Sequence, residues 1–266
     1  MLRQRILTAI VAIPLLSWLI LRAPSGIYSL VVLACTLVSL LELAEMQKVK
    51  IQSAKMLTAG AGMAIALSML VDSSGATLSA GIVVALIGVL LGTLATAEDM
   101  NLSVVGAGEI LFAALYGGLL LPHLLWLRNI DHGPGLVFFV LATAMASDAG
   151  GYFAGRAYGH RKLWPTVSPN KTVEGAVGSV AAAVVIGTLF QLILVRRFGF
   201  VESMLVTAMM SVLSQLGDLS ESMIKRAYDA KDSGWIIPGH GGVLDRTDSM
   251  ILPIVFIYYY ASLAWA

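Results

Sequence analysis

Long apolar runs interrupted by very few charges are the feature that most constrains how this chain can fold. Of the 266 residues, 58% are hydrophobic and only 12% are charged, with 17 basic and 16 acidic side chains. Soluble domains carry roughly 25% charged residues, so a soluble globule could not cover its surface with so few. Disorder needs the opposite composition, and a single cysteine, Cys35, excludes a disulfide scaffold. The composition therefore predicts an integral membrane protein.

Nine segments are apolar enough to be read as membrane-spanning helices, which need about 20 residues each. They are 6–21, 26–43, 56–71, 78–97, 106–127, 134–155, 173–195, 203–222 and 249–265. We therefore predict an all-α polytopic integral membrane protein with about nine transmembrane helices. About five of them fall in an N-terminal part, 1–127, and about four in a C-terminal part, 128–266, which carries the loops 156–172 and 223–248.

The basic residues predict how these helices are oriented. With a cytoplasmic N-terminus and nine crossings, 13 of the 17 basic residues fall inside and 4 outside, the bias that the positive-inside rule describes. Arg3 and Arg5 before the first apolar run would also suit a signal peptide. Because more membrane segments follow and no soluble domain does, we expect a retained first helix.

Two stretches on the predicted cytoplasmic side, 148–174 and 218–248, hold 16 of the charged residues. Asp218, Glu221 and Lys225 are spaced i, i+3 and i+7, so they share one face if the eighth helix continues that far. Carboxylates at membrane depth are costly and usually face a polar cavity or a partner. We therefore expect these acids to belong to a site.

The start of the ninth predicted helix adds two further carboxylates, Asp245 and Asp248, spaced i, i+3. A loop with three glycines, 237–242, precedes them, and glycines let backbone N–H groups approach a ligand closely. Carboxylates, basic side chains and glycine backbone together indicate a site for a phosphate chelated to a divalent ion, and Mg²⁺ prefers such oxygen ligands. The charges at 229–232 could equally form a solvated loop.

The first charged stretch predicts a second wall of that site. Asp148 is followed by small residues, which allow close helix packing. Ser168-Pro169 is a helix-start signal, and it would place Lys171 in a first helical turn, where exposed N–H groups attract anions. Lys171 could alternatively be an interfacial anchor.

Several other chemistries lack support in the sequence. No P-loop motif and no zinc-type cluster occur, and a net charge of +1 gives no bulk attraction to nucleic acid. His240 and Asp245 have the His-x-x-x-x-Asp spacing of glycerolipid acyltransferases, in which His is a general base. The glycines and lysines around that pair favour phosphate over an acyl thioester.

Residues 222–248 carry a long resemblance to one enzyme family. Its fixed positions match Ser222-Met223-Ile224-Lys225-Arg226, Lys231-Asp232, Pro238-Gly239-His240-Gly241-Gly242 and Asp245-Arg246-Thr247-Asp248. This stretch resembles the signature of the phosphatidate cytidylyltransferases, or CDP-diacylglycerol synthases. Asp218 and residues 168–172 are also similar to that family, and Gly151 stands where the family usually has Ala. The resemblance implies Mg²⁺-dependent transfer of a cytidylyl group from CTP to phosphatidate, giving CDP-diacylglycerol and pyrophosphate for phospholipid biosynthesis.

The resemblance also implies roles for individual residues. The implied metal ligands are Asp148, Asp218 and Asp245. The implied catalytic residues are Lys171, Lys225, Arg226, His240, Arg246 and Asp248. The implied substrate-binding residues are Ser168, Lys171, Ser222, Gly241 and Gly242.

The implied setting is a multi-pass protein of a bacterial-type cytoplasmic (inner) membrane, with the active site facing the cytoplasm. The implied cofactor is Mg²⁺, and a second cation is left open. The implied partners are CTP and phosphatidate as substrates, together with membrane lipid, and no nucleic acid is expected. A homodimer is left open. Two rivals remain: a CTP-dependent polyprenol or phytol kinase, which would release CDP, and an ion-coupled transporter, which clustering of charge on one membrane side disfavours.

Overall fold

The structure of the protein is a computed structural model that describes residues 13–48, 53–72, 75–96, 99–234 and 241–265. Its helices are α1 (described over 13–21), α2 (Ser25–Met46), α3 (Ala54–Val71), α4 (Ala76–Ala95), α5 (Met100–Leu115), α6 (His123–Asn129), α7 (Gly133–Tyr158), α8 (Val173–Leu194), α9 (Phe200–Ala227) and α10 (Leu244–Ala264). An antiparallel hairpin of β1 (Lys162–Trp164) and β2 (Ser168–Thr172) connects α7 to α8.

Eight helical segments in the described part of the chain are long and apolar enough to cross a membrane, with α5 and α6 forming one span together. They confirm eight of the nine predicted spans and the all-α, multi-pass membrane class. The ninth candidate, 6–21, begins outside the described residues, and its described part is helical. The predicted bounds were too short for α9, which continues to Ala227, and for α10, which begins at Leu244.

The span predicted over 106–127 begins earlier and contains an irregularity. Asp99 caps α5, because its side chain accepts hydrogen bonds from two backbone N–H groups of the first turn. After α5 the chain widens into a π-helical turn, Tyr116–Leu120, a rare feature that is frequent near functional sites. Gly118 in this turn lies against Gly62 of α3, and a Cβ there would be 2.3 Å from the Gly62 carbonyl oxygen. Only glycine permits this approach.

Helices α7 and α8 pack through the small residues that follow Asp148. A Cβ on Gly150 would lie 2.5 Å from the carbonyl oxygen of Gly178, and one on Gly175 would lie 3.0 Å from that of Gly151. The expectation of close helix packing over this run is therefore confirmed. The two backbones run side by side up to the hairpin that joins them.

The hairpin shows that the helix start predicted at Ser168-Pro169 was wrong. Ser168 pairs with Trp164 in a strand, and α8 begins only after Thr172, whose hydroxyl accepts a hydrogen bond from the Gly175 N–H at 3.1 Å. Lys171 therefore lies on a strand and not in a first helical turn. The pairing of β2 with β1 satisfies backbone groups that a helical turn would otherwise have satisfied.

Ion pairs between loops agree with the predicted grouping of loops by membrane side. Lys48, after α2, pairs with Asp229, after α9, and both were predicted to be cytoplasmic. Arg197, before α9, pairs at 2.5 Å with Asp131, before α7, and both were predicted to lie outside. In each pair the hydrogen bond from the cation lowers the pKa of the aspartate.

Candidate active site

A cavity of about 650 Å³ opens between α7, α8, α9 and the hairpin. Its polar lining consists of Asp148, Tyr152 and Arg156 from α7, Asn170, Lys171 and Thr172 from β2, Ser179 from α8, and Gln215 and Asp218 from α9. Asp148 and Asp218 each lie about ten residues before the end of their helix, which corresponds to roughly 15 Å of helix. The cavity therefore reaches well below the loops.

Lys171 and Asp218 form an ion pair across this cavity. The distance from Lys171 Nζ to Asp218 Oδ2 is 2.6 Å, and the two side chains are 27% and 30% exposed. Ser222, one turn further along α9, donates a hydrogen bond to Asp218 Oδ1 at 3.4 Å. Asp148 lies within electrostatic range of Asp218, Asp248 and Lys171. Three carboxylates from three helices, Asp148, Asp218 and Asp248, thus interact electrostatically with one another, and Lys171 pairs with Asp218.

A second charged cluster lies where α9 meets α10. Lys225 Nζ is 2.9 Å from Glu221 Oε2 and 2.7 Å from Asp245 Oδ1. Glu221 and Asp245 are 1% and 9% exposed, so both carboxylates are buried. The helices approach closely at Gly217, where a Cβ would lie 2.3 Å from the carbonyl oxygen of Asp248. Helix α9 thus continues through Lys225, as the predicted shared face requires. Its Lys225 reaches α10, whereas Asp218 faces the cavity.

Asp245 also organises the loop before α10. Its Oδ2 accepts hydrogen bonds from the backbone N–H groups of Ser233, at 3.0 Å, and Gly242, at 2.8 Å. Gly241, with φ of +79°, adopts the left-handed conformation that favours glycine. The Asp245 carboxylate thus accepts from one ammonium and two backbone amides, all from the protein itself.

The remaining predicted site residues are distributed around these clusters. Arg226 is exposed near the end of α9 and donates to the carbonyl of Ala230 at 3.4 Å. Arg246 is exposed in the first turn of α10, and Ser168 is half-buried on β2. His240 lies outside the described residues. The roles of these four residues, like those of the other predicted site residues, stay predictions.

Six polar residues that line the cavity had no role in the sequence-based prediction: Tyr152, Arg156, Asn170, Thr172, Ser179 and Gln215. Tyr152 and Arg156 follow Asp148 at i+4 and i+8, and the Arg156 guanidinium donates to the Tyr152 hydroxyl at 3.0 Å. Gln215 precedes Asp218 by three residues. The same helical-face rule that joined Asp218 to Lys225 would have identified these three. Asn170, on β2, required knowledge of the hairpin.

The donor chemistry of the cavity suits a divalent cation that is only partly held by protein. In the described part of the chain, no three His, Cys, Asp or Glu side chains form a metal-binding group. Mg²⁺ commonly takes one or two carboxylates and completes its coordination with water and substrate phosphates. Asp148 and Asp218, which are oxygen donors facing an open cavity, fit that pattern.

The comparisons with known proteins bear on the whole chain. The model described as "Cytidylyltransferase family" matches residues 3–264. This chain belongs to the cytidylyltransferase family. A phosphatidate cytidylyltransferase from Bacillus subtilis (strain 168) is 37% identical over 98% of both chains. One from Brucella suis biovar 1 (strain 1330) is 34% identical over 98% of this chain and 94% of its own.

These matches confirm the family resemblance that residues 222–248 carry. They also extend it to the N-terminal helices, where the sequence offered only apolar runs. A phosphatidate cytidylyltransferase from Staphylococcus epidermidis (strain ATCC 12228 / FDA PCI 1200) is 40% identical over 48% of this chain and 50% of its own. The full-length similarity of the first two relatives indicates that both halves of the chain are shared with them.

Proposed function

We propose that this protein transfers the cytidylyl group of CTP to phosphatidate, giving CDP-diacylglycerol and pyrophosphate for phospholipid biosynthesis. The observation that carries the proposal is the 37% identity, over 98% of both chains, to a phosphatidate cytidylyltransferase. The lining of the cavity supports the proposal, because it holds basic groups suited to phosphate oxygens and carboxylates suited to a cation.

The reaction needs positioning more than covalent help. A phosphate oxygen of phosphatidate bonds to the α-phosphorus of CTP, and the bond from that phosphorus to the oxygen bridging to the β-phosphate breaks. The attacking phosphate is already anionic near neutral pH, since its second pKa is about 6, so no general base is required. We assign orientation and charge neutralisation of the phosphate groups to Lys171 and Lys225, and to the exposed Arg226 and Arg246.

We assign Mg²⁺ as the cofactor, with Asp148 and Asp218 as the residues that would hold it. When bound, Mg²⁺ supplies charge neutralisation and orientation of phosphate oxygens. We do not assign Asp245 to this set, because its carboxylate already accepts hydrogen bonds from Lys225 and two backbone N–H groups. Lys171 would exchange Asp218 for a substrate phosphate as substrate enters.

We propose that the cavity opens at the cytoplasmic surface of the membrane. Tyr158, at the end of α7, and Trp164, on β1, are 71% and 56% exposed, as expected of aromatic side chains at a membrane interface. Phosphatidate would arrive laterally with its acyl chains in lipid, and CTP would come from the cytosol. The excess of basic residues at this end supports the orientation.

The test is to identify the products formed from CTP labelled with ³²P at the α-phosphate. Purified protein in detergent is incubated with phosphatidate and Mg²⁺. We expect label in the lipid, release of pyrophosphate in equal amount, and loss of both when Mg²⁺ is chelated. In a parallel reaction with a polyprenol in place of phosphatidate, release of labelled CDP with unlabelled lipid would instead indicate a kinase. Ion flux in sealed vesicles without nucleotide turnover would indicate a transporter.

A further inference from the structure

A buried glutamate from the N-terminal half caps the helix that carries Asp245. Glu42, in α2, is only 2% exposed. Its Oε1 accepts a hydrogen bond from the Val243 N–H at 2.9 Å, and its Oε2 accepts one from the Leu244 N–H, also at 2.9 Å. The Ser233 hydroxyl donates to the same Oε2 at 3.4 Å. The carboxylate thus bridges the N-terminal half and the loop before α10.

Glu42 supplies what the local sequence of α10 does not. The first N–H groups of any helix lack intrahelical partners, and a side chain just before the helix usually accepts from one of them. At α10 that position is Val243, and no local side chain makes a capping hydrogen bond. A carboxylate also interacts favourably with the positive end of the helix dipole. The cap therefore comes from about 200 residues earlier in the chain.

The loop is shaped to admit this carboxylate. A Cβ on Gly234 or on Gly242 would lie 2.6 Å from Glu42 Oε1, so only glycine leaves room at both positions. Ser233 joins Glu42 to Asp245, because its backbone N–H donates to Asp245 and its hydroxyl accepts from the Asp245 N–H at 3.3 Å. A displacement of Glu42 would therefore also disturb Asp245, because both side chains are hydrogen-bonded to Ser233.

Two further contacts hold the beginning of the same loop against the N-terminal half. Lys48, which follows α2, pairs with Asp229. The Tyr228 hydroxyl donates to Glu109 Oε2 of α5 at 3.3 Å. These contacts are more exposed than that of Glu42. Among the described residues, Glu42 is thus the buried member of a set of contacts that ties 228–233 and 243–244 to α2 and α5.

We propose that Glu42 is a positioning residue for cytidylyl transfer, through which the N-terminal helices hold the start of α10, and with it Asp245 and Lys225, in their working arrangement. The inference rests on the proposed function for its catalytic consequence, whereas the contact itself can be tested without it.

The informative variant is Glu42→Gln, with Glu45→Gln as its matched control. Glutamine preserves size, but its NH₂ group would face one of the two backbone N–H donors, so only one of them could be accepted. Glu45 lies three residues further along α2, is 54% exposed and pairs with the exposed Lys55. Both variants remove one acidic charge from one helix, and only the first touches α10.

Two measurements are made on each folded variant: steady-state kinetics, and hydrogen–deuterium exchange of the segment 241–248. For Glu42→Gln we expect kcat per folded protein to fall about tenfold to a hundredfold, the range of a lost hydrogen bond to a charged group. We expect an unchanged KM for phosphatidate and faster exchange in 241–248. Glu45→Gln should match the wild type in both measurements, and Glu42→Asp should recover part of kcat.

The inference would be overturned if Glu42→Gln kept the wild-type kcat. It would also be overturned if the activity fell only in proportion to the amount of folded protein while exchange in 241–248 stayed unchanged. If Glu42→Gln does not fold, the inference is tested with Glu42→Asp. Because the aspartate side chain is shorter, we expect weaker hydrogen bonds to α10, faster exchange in 241–248 and a lower kcat than in the wild type. Failure of the wild type to make CDP-diacylglycerol would count against the proposed function, while the exchange data would still test the contact.

Discussion

Replacing Lys225 with methionine should destabilise the protein strongly, because it leaves two buried carboxylates without their shared cation. The Lys225 ammonium lies 2.9 Å from Glu221 and 2.7 Å from Asp245, and its side chain is only 14% exposed. Methionine has a similar length and no charge. The change therefore removes the cation while leaving most of the side-chain volume between the carboxylates.

The expected magnitude follows from the burial of this cluster. Removing one partner of a buried ion pair costs about 3–5 kcal/mol, because an uncompensated charge stays buried. In a chain of 150–250 residues, each kcal/mol corresponds to roughly 2–4 °C in Tm, so we expect Tm to fall by roughly 6–20 °C. Adding Glu221→Gln to Lys225→Met removes one of the two stranded carboxylates and should restore part of the loss.

The assay is thermal unfolding in detergent, followed by intrinsic fluorescence and compared with Lys55→Met. Lys55 also pairs with a carboxylate at 2.6 Å, but both side chains are more than half exposed. Such surface pairs contribute at most about 1 kcal/mol. Equal Tm values for Lys55→Met and Lys225→Met, or no recovery with Glu221→Gln, would refute the reasoning.

Three further predictions use the same unfolding assay. Gly217→Ala should cost about 1–3 kcal/mol by overpacking, because its Cβ would lie 2.3 Å from a backbone oxygen of α10. Gly88→Ala, whose Cβ would have nothing within 4 Å, should not lower Tm. Equal effects of the two substitutions would contradict the packing. Thr172→Val should cost about 1 kcal/mol by removing the cap of α8, and an unchanged Tm would exclude that cap. The hydrogen bond from Lys48 lowers the pKa of Asp229. The ion pair therefore stabilises the folded protein at neutral pH, and this stabilisation is lost as the pH falls through the lowered pKa of Asp229. The Tm difference between wild type and Asp229→Asn should therefore vanish in acid, and its persistence there would contradict the pair.

The membrane spans could be predicted from sequence because hydropathy depends on local composition alone. The C-terminal end of α9 and the start of α10 could not be predicted in this way, because polar residues there stay helical by pairing their charges with one another. Lys225, in the last turn of α9, and Asp245, in the first turn of α10, form an ion pair although they are twenty positions apart in the chain. A hydropathy window reads both stretches as loop.

The site was predictable where it depends on helical spacing and was not where it depends on distant pairing. The face that joins Asp218 to Lys225 follows from the period of one helix. Lys171 was misplaced because the pairing of β2 with β1 overrides the Ser-Pro helix-start signal. Glu42 was missed because it stands at the polar end of an apolar run, and its hydrogen-bond partners follow about 200 residues later.

The rate of ³²P transfer from α-labelled CTP to phosphatidate in Asp218→Asn, measured beside Asp131→Asn, tests the location of the site most directly. Asp218 faces the cavity and pairs with Lys171, whereas Asp131 pairs with Arg197 at the opposite end of the bundle. Both substitutions remove one paired carboxylate and keep its size. We predict that Asp218→Asn loses nearly all transfer in folded protein while Asp131→Asn retains the wild-type rate; near-wild-type transfer in Asp218→Asn would contradict the account.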